Sequence, residues 1–144
     1  MSMEIHVLSD KALSSVADWQ QAIDAEGFKV KLDATVKFDT ASGFVPALLH
    51  DKKSGFECFH DDVGELIETY ADNPELDFGH VWKHALSFRL GSLAHEGISA
   101  FMAATAYAQA TGGVVFDPQD GRIMTPSDSR ELVSRWEKLE FPSL

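Results

Sequence analysis

Apolar residues recur along the chain at two spacings, every second residue in some segments and every third or fourth in others. Residues 4–8 alternate apolar and polar side chains, which predicts a first strand. The segment 12–26 repeats its apolar residues at helical spacing, and either Ser9 or Asp10 is expected to cap that helix. Alternation returns over 28–32 and predicts a second strand.

The next segment, 44–60, indicates a β-hairpin. Its arms are expected at 44–50 and 56–60, joined by a turn over the polar, glycine-containing residues 51–55. Pro46 cannot donate a backbone hydrogen bond to a neighbouring strand. We therefore expect this proline to lie on an edge strand or near a strand end.

A short helix and a longer strand are predicted after the hairpin. Asp62, followed three residues later by Glu65, is typical of a capping box, and the helix should end before 73–74. The segment 81–90 alternates throughout, which predicts a strand. The residues expected on one face of this strand are Trp82, His84, Leu86, Phe88 and Leu90.

The C-terminal part adds two helices and two strands. An alanine-rich helix is predicted over 93–111, capped by Ser92, and its small side chains would let it lie close to a sheet. Strands are predicted at 114–116 and 122–124, before a final helix capped by Thr125. The residues expected on the apolar face of that helix are Leu132, Val133, Trp136 and Leu139.

The order of these elements is β-α-β, hairpin, short α, then β-α-β-β-α. Hairpins mixed with β-α-β units favour an α+β fold, with a single layer of mixed, largely antiparallel sheet packed by about four helices. A length of 144 residues without a linker-like tract predicts one domain over 1–144.

Charge and cysteine content narrow the classes of partner. The net charge of −11 disfavours nucleic acid and favours solubility and attraction to basic partners, and the alternative is the ordinary acidity of many soluble cytoplasmic proteins. The single cysteine excludes an internal disulfide and fits a reducing, cytoplasmic setting. The first ten residues lack a signal-peptide pattern, and the uncharged stretch 97–116 is interrupted by Gly112-Gly113, so we expect no association with a membrane.

One short segment carries candidate chemistry. Cys58 and His60 would share a strand face, where an imidazole could activate a thiol, and His60 with Asp61 and Asp62 could bind a metal ion. The alternative is structural: Cys58 would belong to the core, and the two aspartates would accept hydrogen bonds at a helix N-terminus. We favour this alternative and expect no metal or cofactor.

Weaker candidates lie elsewhere. Arg89 near Glu96 could line a small anion site, although an ordinary salt bridge is the simpler expectation. His84 is expected to be a core-edge histidine, too far along the strand from His80 for both to bind one ion. Asp117 is expected to form a turn with Asp120. Exposed aromatic residues would mark a partner surface, and the candidates are Phe38, Phe44, Phe59 and Phe78.

The run GGVVFDPQDG after an alanine-rich helix, preceded by the hairpin GFVPALLHDKKSGFECF, resembles small bacterial α+β proteins, some of them immunity proteins that neutralise toxins. This resemblance implies an intracellular bacterial protein and transfers no functional residue. Two classes of function remain open. The first is a non-catalytic binding protein whose acidic surface docks a basic partner, as an inhibitor of toxin-immunity type would. The second is a small enzyme with a site near Cys58 and His60 or near Arg89. A homodimer through a sheet edge is a further possibility.

Overall fold

The computed structural model of the chain describes residues 3–36, 43–91 and 93–142, and within them it forms seven strands and four helices. The strands are β1 (Met3–Ser9), β2 (Val30–Leu32), β3 (Gly43–Leu49), β4 (Lys52–Asp61), β5 (His84–Leu90), β6 (Val114–Asp117) and β7 (Arg122–Met124). The helices are α1 (Val16–Ala25), α2 (Val63–Thr69), α3 (Ala94–Thr111) and α4 (Pro126–Glu140). The α+β class predicted from the sequence is confirmed.

All the strands form one sheet, in the order β2-β3-β4-β5-β1-β6-β7. Each neighbouring pair is antiparallel, so the sheet is not mixed within the described ranges. Neither β-α-β unit brings its two strands side by side. In the first unit β3, β4 and β5 lie between β1 and β2, and in the second unit β1 lies between β5 and β6. The N-terminal strand is therefore central, flanked by partners that come much later in the chain.

Three helices cover one face of the sheet, called here the inner face. Side chains such as Val7, Phe56 and Phe88 point towards α1, α3 and α4 and form the main core with them. Trp19 of α1 lies at the centre, with the Phe56, Phe88 and Tyr107 rings packed edge-on around it at 5.7–5.9 Å between centroids. Its indole N–H donates to the Ala103 carbonyl at 2.9 Å. This core joins α1, the sheet and α3.

Helix α3 is buried along most of its length, as its small side chains predict. The Trp136 ring of α4 packs directly on Gly97, so a β-carbon at that position would collide with it. Thr105 and Ser129 share a 2.6 Å hydrogen bond between α3 and α4, with both side chains fully buried. The glycine and the hydroxyl pair bring α4 close to α3.

Helix caps follow the predicted residues in two of the four helices. Asp62 accepts from the Glu65 N–H at the start of α2, and Thr125 accepts from the Asp128 N–H at the start of α4. The prediction for α1 is wrong, because Ser15 caps that helix and Ser9 instead donates to the Lys11 carbonyl. Leu93 occupies the N-cap position of α3, while Ser92 lies outside the described residues.

The hairpin turn is tighter than predicted. β3 and β4 are joined by His50 and Asp51 alone, both with positive φ, as a two-residue type I′ turn requires. Gly55 lies inside β4 and not in the turn. A glycine is required at this position because the Phe44 ring and the Val45 carbonyl occupy the space that a β-carbon would need. His50 Nε2 lies 2.7 Å from the Glu137 carboxylate, a contact that joins the turn to α4.

Two predictions of buried faces need correction. The strand expected over 81–90 begins at His84, which is exposed, and Trp82 before it packs against the opposite side of the sheet from Leu86. Alternation in sequence did not distinguish strand from approaching loop there, because the loop also buries an aromatic ring. Leu139, expected on the apolar face of α4, is 82% exposed.

The described sheet edges, β2 and β7, are three residues long each, which limits pairing with another chain. Pro46 lies on β3, between β2 and β4, rather than on an edge strand. Its carbonyl accepts from the Asp33 N–H, so its missing N–H faces the β2 side, just past the residues that pair with β2. A homodimer through an edge stays a prediction. In the described parts of the chain, no helix combines the length and the apolar character needed to cross a membrane.

Candidate functional site

The second face of the sheet, called here the outer face, carries a strongly acidic segment, residues 61–82. This segment contains seven of the 23 acidic residues of the chain and none of its 12 lysines and arginines. It therefore holds most of the net charge of −11 in a small fraction of the length. The seven acidic residues, all exposed, are Asp61, Asp62, Glu65, Glu68, Asp72, Glu75 and Asp77.

Apolar side chains fix the acidic segment to the outer face. Leu66 of α2 packs in a second core cluster with Leu8 and Phe116 from the sheet. The rings of Tyr70 and Phe78 lie edge-on against Phe116, at 5.1 and 5.2 Å between centroids. With one side of the segment buried in this way, its carboxylates are left to face solvent.

A ladder of charged side chains continues the acidic surface onto the strands. Arg89 of β5 lies between Glu57 of β4 and Glu4 of β1, its register partners on either side. Its guanidinium contacts the Glu4 carboxylate at 3.4 Å and the Glu57 carboxylate at 3.5 Å. One cation thus serves two half-exposed carboxylates, which leaves net negative charge. We call the acidic segment together with Glu4 and Glu57 the acidic face.

A buried histidine lies at the centre of this face. His6 and Ser87 are register partners on β1 and β5, with 1% and 0% of their surface exposed. His6 Nδ1 lies 2.6 Å from Ser87 Oγ, and the Ser87 hydroxyl donates to Asp61 Oδ2 at 3.0 Å. Asp61 Oδ1 accepts from the Asp62 N–H, so both oxygens of this carboxylate are used as acceptors.

These hydrogen bonds determine which ring nitrogen of His6 carries the proton. The single hydroxyl proton of Ser87 goes to Asp61, so Ser87 Oγ must accept from His6 Nδ1–H. His6 Nε2 then carries a lone pair, and it is buried without a hydrogen-bond partner. The nearest carboxylate oxygen, on Glu4, is 4.0 Å away, beyond hydrogen-bond range. The face therefore contains one unused acceptor at its centre.

Burial lowers the pKa of His6, although the charges of Glu4 and Asp61 act in the opposite direction. The imidazole therefore stays neutral at neutral pH. Burial raises the pKa of Tyr70, and the charge of Glu4 on the same face raises it further. Both groups keep their uncharged forms beside the carboxylates.

The lowered pKa of His6 predicts a pH-dependent stability. An unfolded histidine binds a proton below about pH 6.5, whereas the folded His6 resists protonation until lower pH. Within that window the unfolded chain holds more protons, so the free energy of unfolding falls as the pH falls below about 6.5. The slope from one such proton is at most about 1.4 kcal/mol per pH unit. Urea denaturation between about pH 5 and about pH 7 measures it.

Two variants assign this slope to His6. His6→Asn keeps a donor to Ser87 but removes the titrating ring, and it should lose the part of the slope that His6 causes. His84→Gln removes an exposed histidine and is the control for loss of a titrating ring as such. Burial raises the pKa of Asp117, so this group makes the free energy of unfolding rise as the pH falls, at lower pH than His6 acts. Asp117 is present in the unsubstituted protein and in both variants, so its effect cancels in the comparison. An unchanged slope in His6→Asn would refute the assignment.

The candidate nucleophile from the sequence is placed in the core. Cys58 is 3% exposed in the inner-face cluster, and burial raises the pKa of its thiol far above neutrality. His60, two residues along the strand, is exposed. The thiol therefore remains protonated at neutral pH, which is typical of a structural cysteine.

The aspartates beside His60 serve the scaffold. Asp62 caps α2, and Asp61 holds Ser87 and the Asp62 N–H. In the residues that the structure describes, no three His, Cys, Asp or Glu side chains form a group able to hold a metal ion. His60, Asp61 and Asp62 are thus not gathered into such a group.

The remaining candidates lie in other contacts. Arg89 forms ion pairs with Glu4 and Glu57, its partners in the strand register, and it lines a small cavity of about 220 Å³ together with the predicted Glu96. His84, expected at the core edge, is exposed. His80, outside any strand, contacts Asp10 at 2.7 Å. The turn predicted at Asp117 is confirmed, since its carboxylate accepts from the Gln119 and Asp120 N–H groups.

A mostly apolar groove of about 1070 Å³ lies at the β2–β3 side of the sheet. Its walls include the exposed side chains of Phe44, Leu48 and Leu93. Four carboxylates and two lysines line it, so the groove also carries net negative charge. Of the other predicted surface aromatics, Phe59 and Phe78 are half-buried on the outer face, and Phe38 lies outside the described residues.

Neither His6 nor Ser87 was predicted as a site residue from the sequence. Alternation in β1 and β5 does indicate that both side chains point to the other face of the sheet from the core residues Val7 and Phe88. Their pairing depends on β1 lying beside β5, a neighbour 81 residues away in the chain. No local pattern indicates that contact. No family model, curated protein or solved structure matches this chain.

Proposed function

We propose that this protein is a non-catalytic binding protein that docks a basic protein partner on its acidic face. The observation that supports the proposal is the acidic segment, with seven exposed carboxylates and no lysine or arginine over residues 61–82. Complementary charge on a partner would speed association and select against acidic proteins. An inhibitor that covers a basic toxin is one form of such a protein, in line with the resemblance to immunity proteins.

The candidate catalytic groups favour binding over chemistry. Cys58 has a neutral, buried thiol, and Ser87 and His6 have almost no exposed surface. The large groove is lined by none of these three, nor by His60 or Arg89. Catalysis needs a nucleophile whose proton can pass to a base; the Cys58 thiol lies on the inner face away from His6, and the Ser87 hydroxyl donates to Asp61 and not to the imidazole.

Salt dependence of binding tests the proposal. The probe is a fluorescent peptide of alternating arginine and glycine, with fluorescence anisotropy as the readout. Raising the salt concentration from about 0.01 M to about 1 M shortens the screening length from about 30 Å to about 3 Å. We expect the affinity to fall by at least about tenfold over that range, since exposed charges supply most of the attraction. Salt-independent binding, or equal binding of a peptide with glutamate in place of arginine, would contradict the proposal.

A further inference from the structure

The acidic face combines two observations that point to one kind of ligand. It carries uncompensated carboxylates, and it also contains the buried, unpartnered acceptor His6 Nε2, 4.0 Å from the half-exposed Glu4 carboxylate. An acceptor buried without a donor is unfavourable, so a ligand that supplies an N–H there removes a cost already present in the free protein. The two acceptors together require a cation with more than one donor.

We propose that an arginine of the basic partner anchors on the acidic face, its guanidinium donating to His6 Nε2 and to the Glu4 carboxylate. This inference rests on the proposed function and specifies which partner side chain the face recognises. A guanidinium presents neighbouring N–H groups in a fixed, planar fork, which suits two acceptors that are close neighbours on one face, 4.0 Å apart before Glu4 turns. A lysine ammonium is a compact, strongly hydrated charge and fits a buried, flat site less well.

Entry of the guanidinium requires Glu4 to turn. His6 Nε2 has no contact with solvent in the free protein, and the Glu4 side chain beside it is 38% exposed. Among the described residues, the Glu4 carboxylate makes a long 3.4 Å ion pair with Arg89 and lies 4.0 Å from His6 Nε2, so its rotation costs little. Once turned, Glu4 keeps its charge next to the incoming cation.

The same face already holds one arginine in this manner. Arg89 lies between two carboxylates, with its guanidinium 5.6 Å from the centre of the Phe59 ring. Carboxylates next to an aromatic ring form an environment that stabilises a guanidinium through charge and cation–π contact. At the proposed anchor, Glu4 offers the corresponding carboxylate.

A matched pair of variants tests the anchor. Glu4→Gln and Glu57→Gln each remove one charge from the acidic face, and each loses one long contact to Arg89. Only Glu4 lies beside His6 Nε2. With the arginine–glycine peptide as probe, we expect Glu4→Gln to weaken binding about tenfold and Glu57→Gln less than about threefold. Equal losses in the two variants would overturn the anchor.

Nitrogen NMR of His6 distinguishes failure of the anchor from failure of the proposed function. The arginine–glycine peptide should shift the Nε2 resonance of His6 saturably, and a lysine–glycine peptide of equal charge should shift it much less. If the arginine peptide shifts the α2 amides but leaves Nε2 unchanged, the acidic face binds and the anchor is wrong. If neither the amides nor Nε2 respond, both proposals fail.

Discussion

Trp19→Ala is expected to lower the free energy of unfolding by about 4 kcal/mol, enough to leave the domain marginally folded. Trp19 is fully buried, and three aromatic rings from β4, β5 and α3 pack edge-on against it. Removing the indole leaves a cavity that these rings cannot fill together, because each is fixed on a different element. Far-UV circular dichroism in urea measures the loss.

The variant Trp19→Phe separates packing from hydrogen bonding. It keeps an aromatic ring in the core but removes the N–H that donates to the Ala103 carbonyl. We expect it to lose about 1–2 kcal/mol, well below the loss in Trp19→Ala. If Trp19→Ala lost less than about 1 kcal/mol, the packing of α1 against the sheet and α3 would be wrong.

Neutralising four carboxylates of the acidic segment is expected to weaken binding of the arginine–glycine peptide about thirtyfold at low salt. Each exposed ion pair contributes about 0.2–1 kcal/mol, so losing four together costs about 2 kcal/mol. The substitutions are Glu65→Gln, Glu68→Gln, Asp72→Asn and Glu75→Gln, none of which removes a cap or a member of the His6 hydrogen-bond chain. Titration by fluorescence anisotropy measures the change.

A second fourfold variant controls for total charge. It changes exposed acids of α1 and α4, on the far side of the sheet: Asp18→Asn, Asp24→Asn, Asp128→Asn and Glu131→Gln. Both variants raise the net charge from −11 to −7, so they are matched in total charge and lose it on different faces. We expect the control to weaken binding less than about threefold. Equal losses would show that net charge, and not the acidic face, attracts the peptide.

Much of the fold could be predicted because local rules fix it. Apolar spacing and caps located α2, α4 and most strands to within a few residues, since burial of one face and satisfaction of end N–H groups act over short distances. The errors have tertiary causes. The type I′ turn places His50 at positive φ, and its contact with Glu137 comes from a helix 87 residues away in the chain.

The site was harder to predict than the fold. Clustering of Cys58, His60 and Asp61 in sequence indicated chemistry, yet β-alternation sends Cys58 to the inner face and Asp61 to the outer face. The polar chain that does form joins β4, β5 and β1, whose adjacency is set by strand order. Arg89 was among the candidates, but its partners Glu4 and Glu57 could be identified only from the register.

Backbone NMR of the labelled protein, titrated with the arginine–glycine peptide, shows directly where a basic ligand binds. Docking on the acidic face predicts saturable shifts in the amides of residues 61–77 and of Glu4 to His6, with little change in α1 and α4. Shifts confined to the apolar groove, at Phe44, Leu48 and Leu93, with residues 61–77 unchanged, would contradict it.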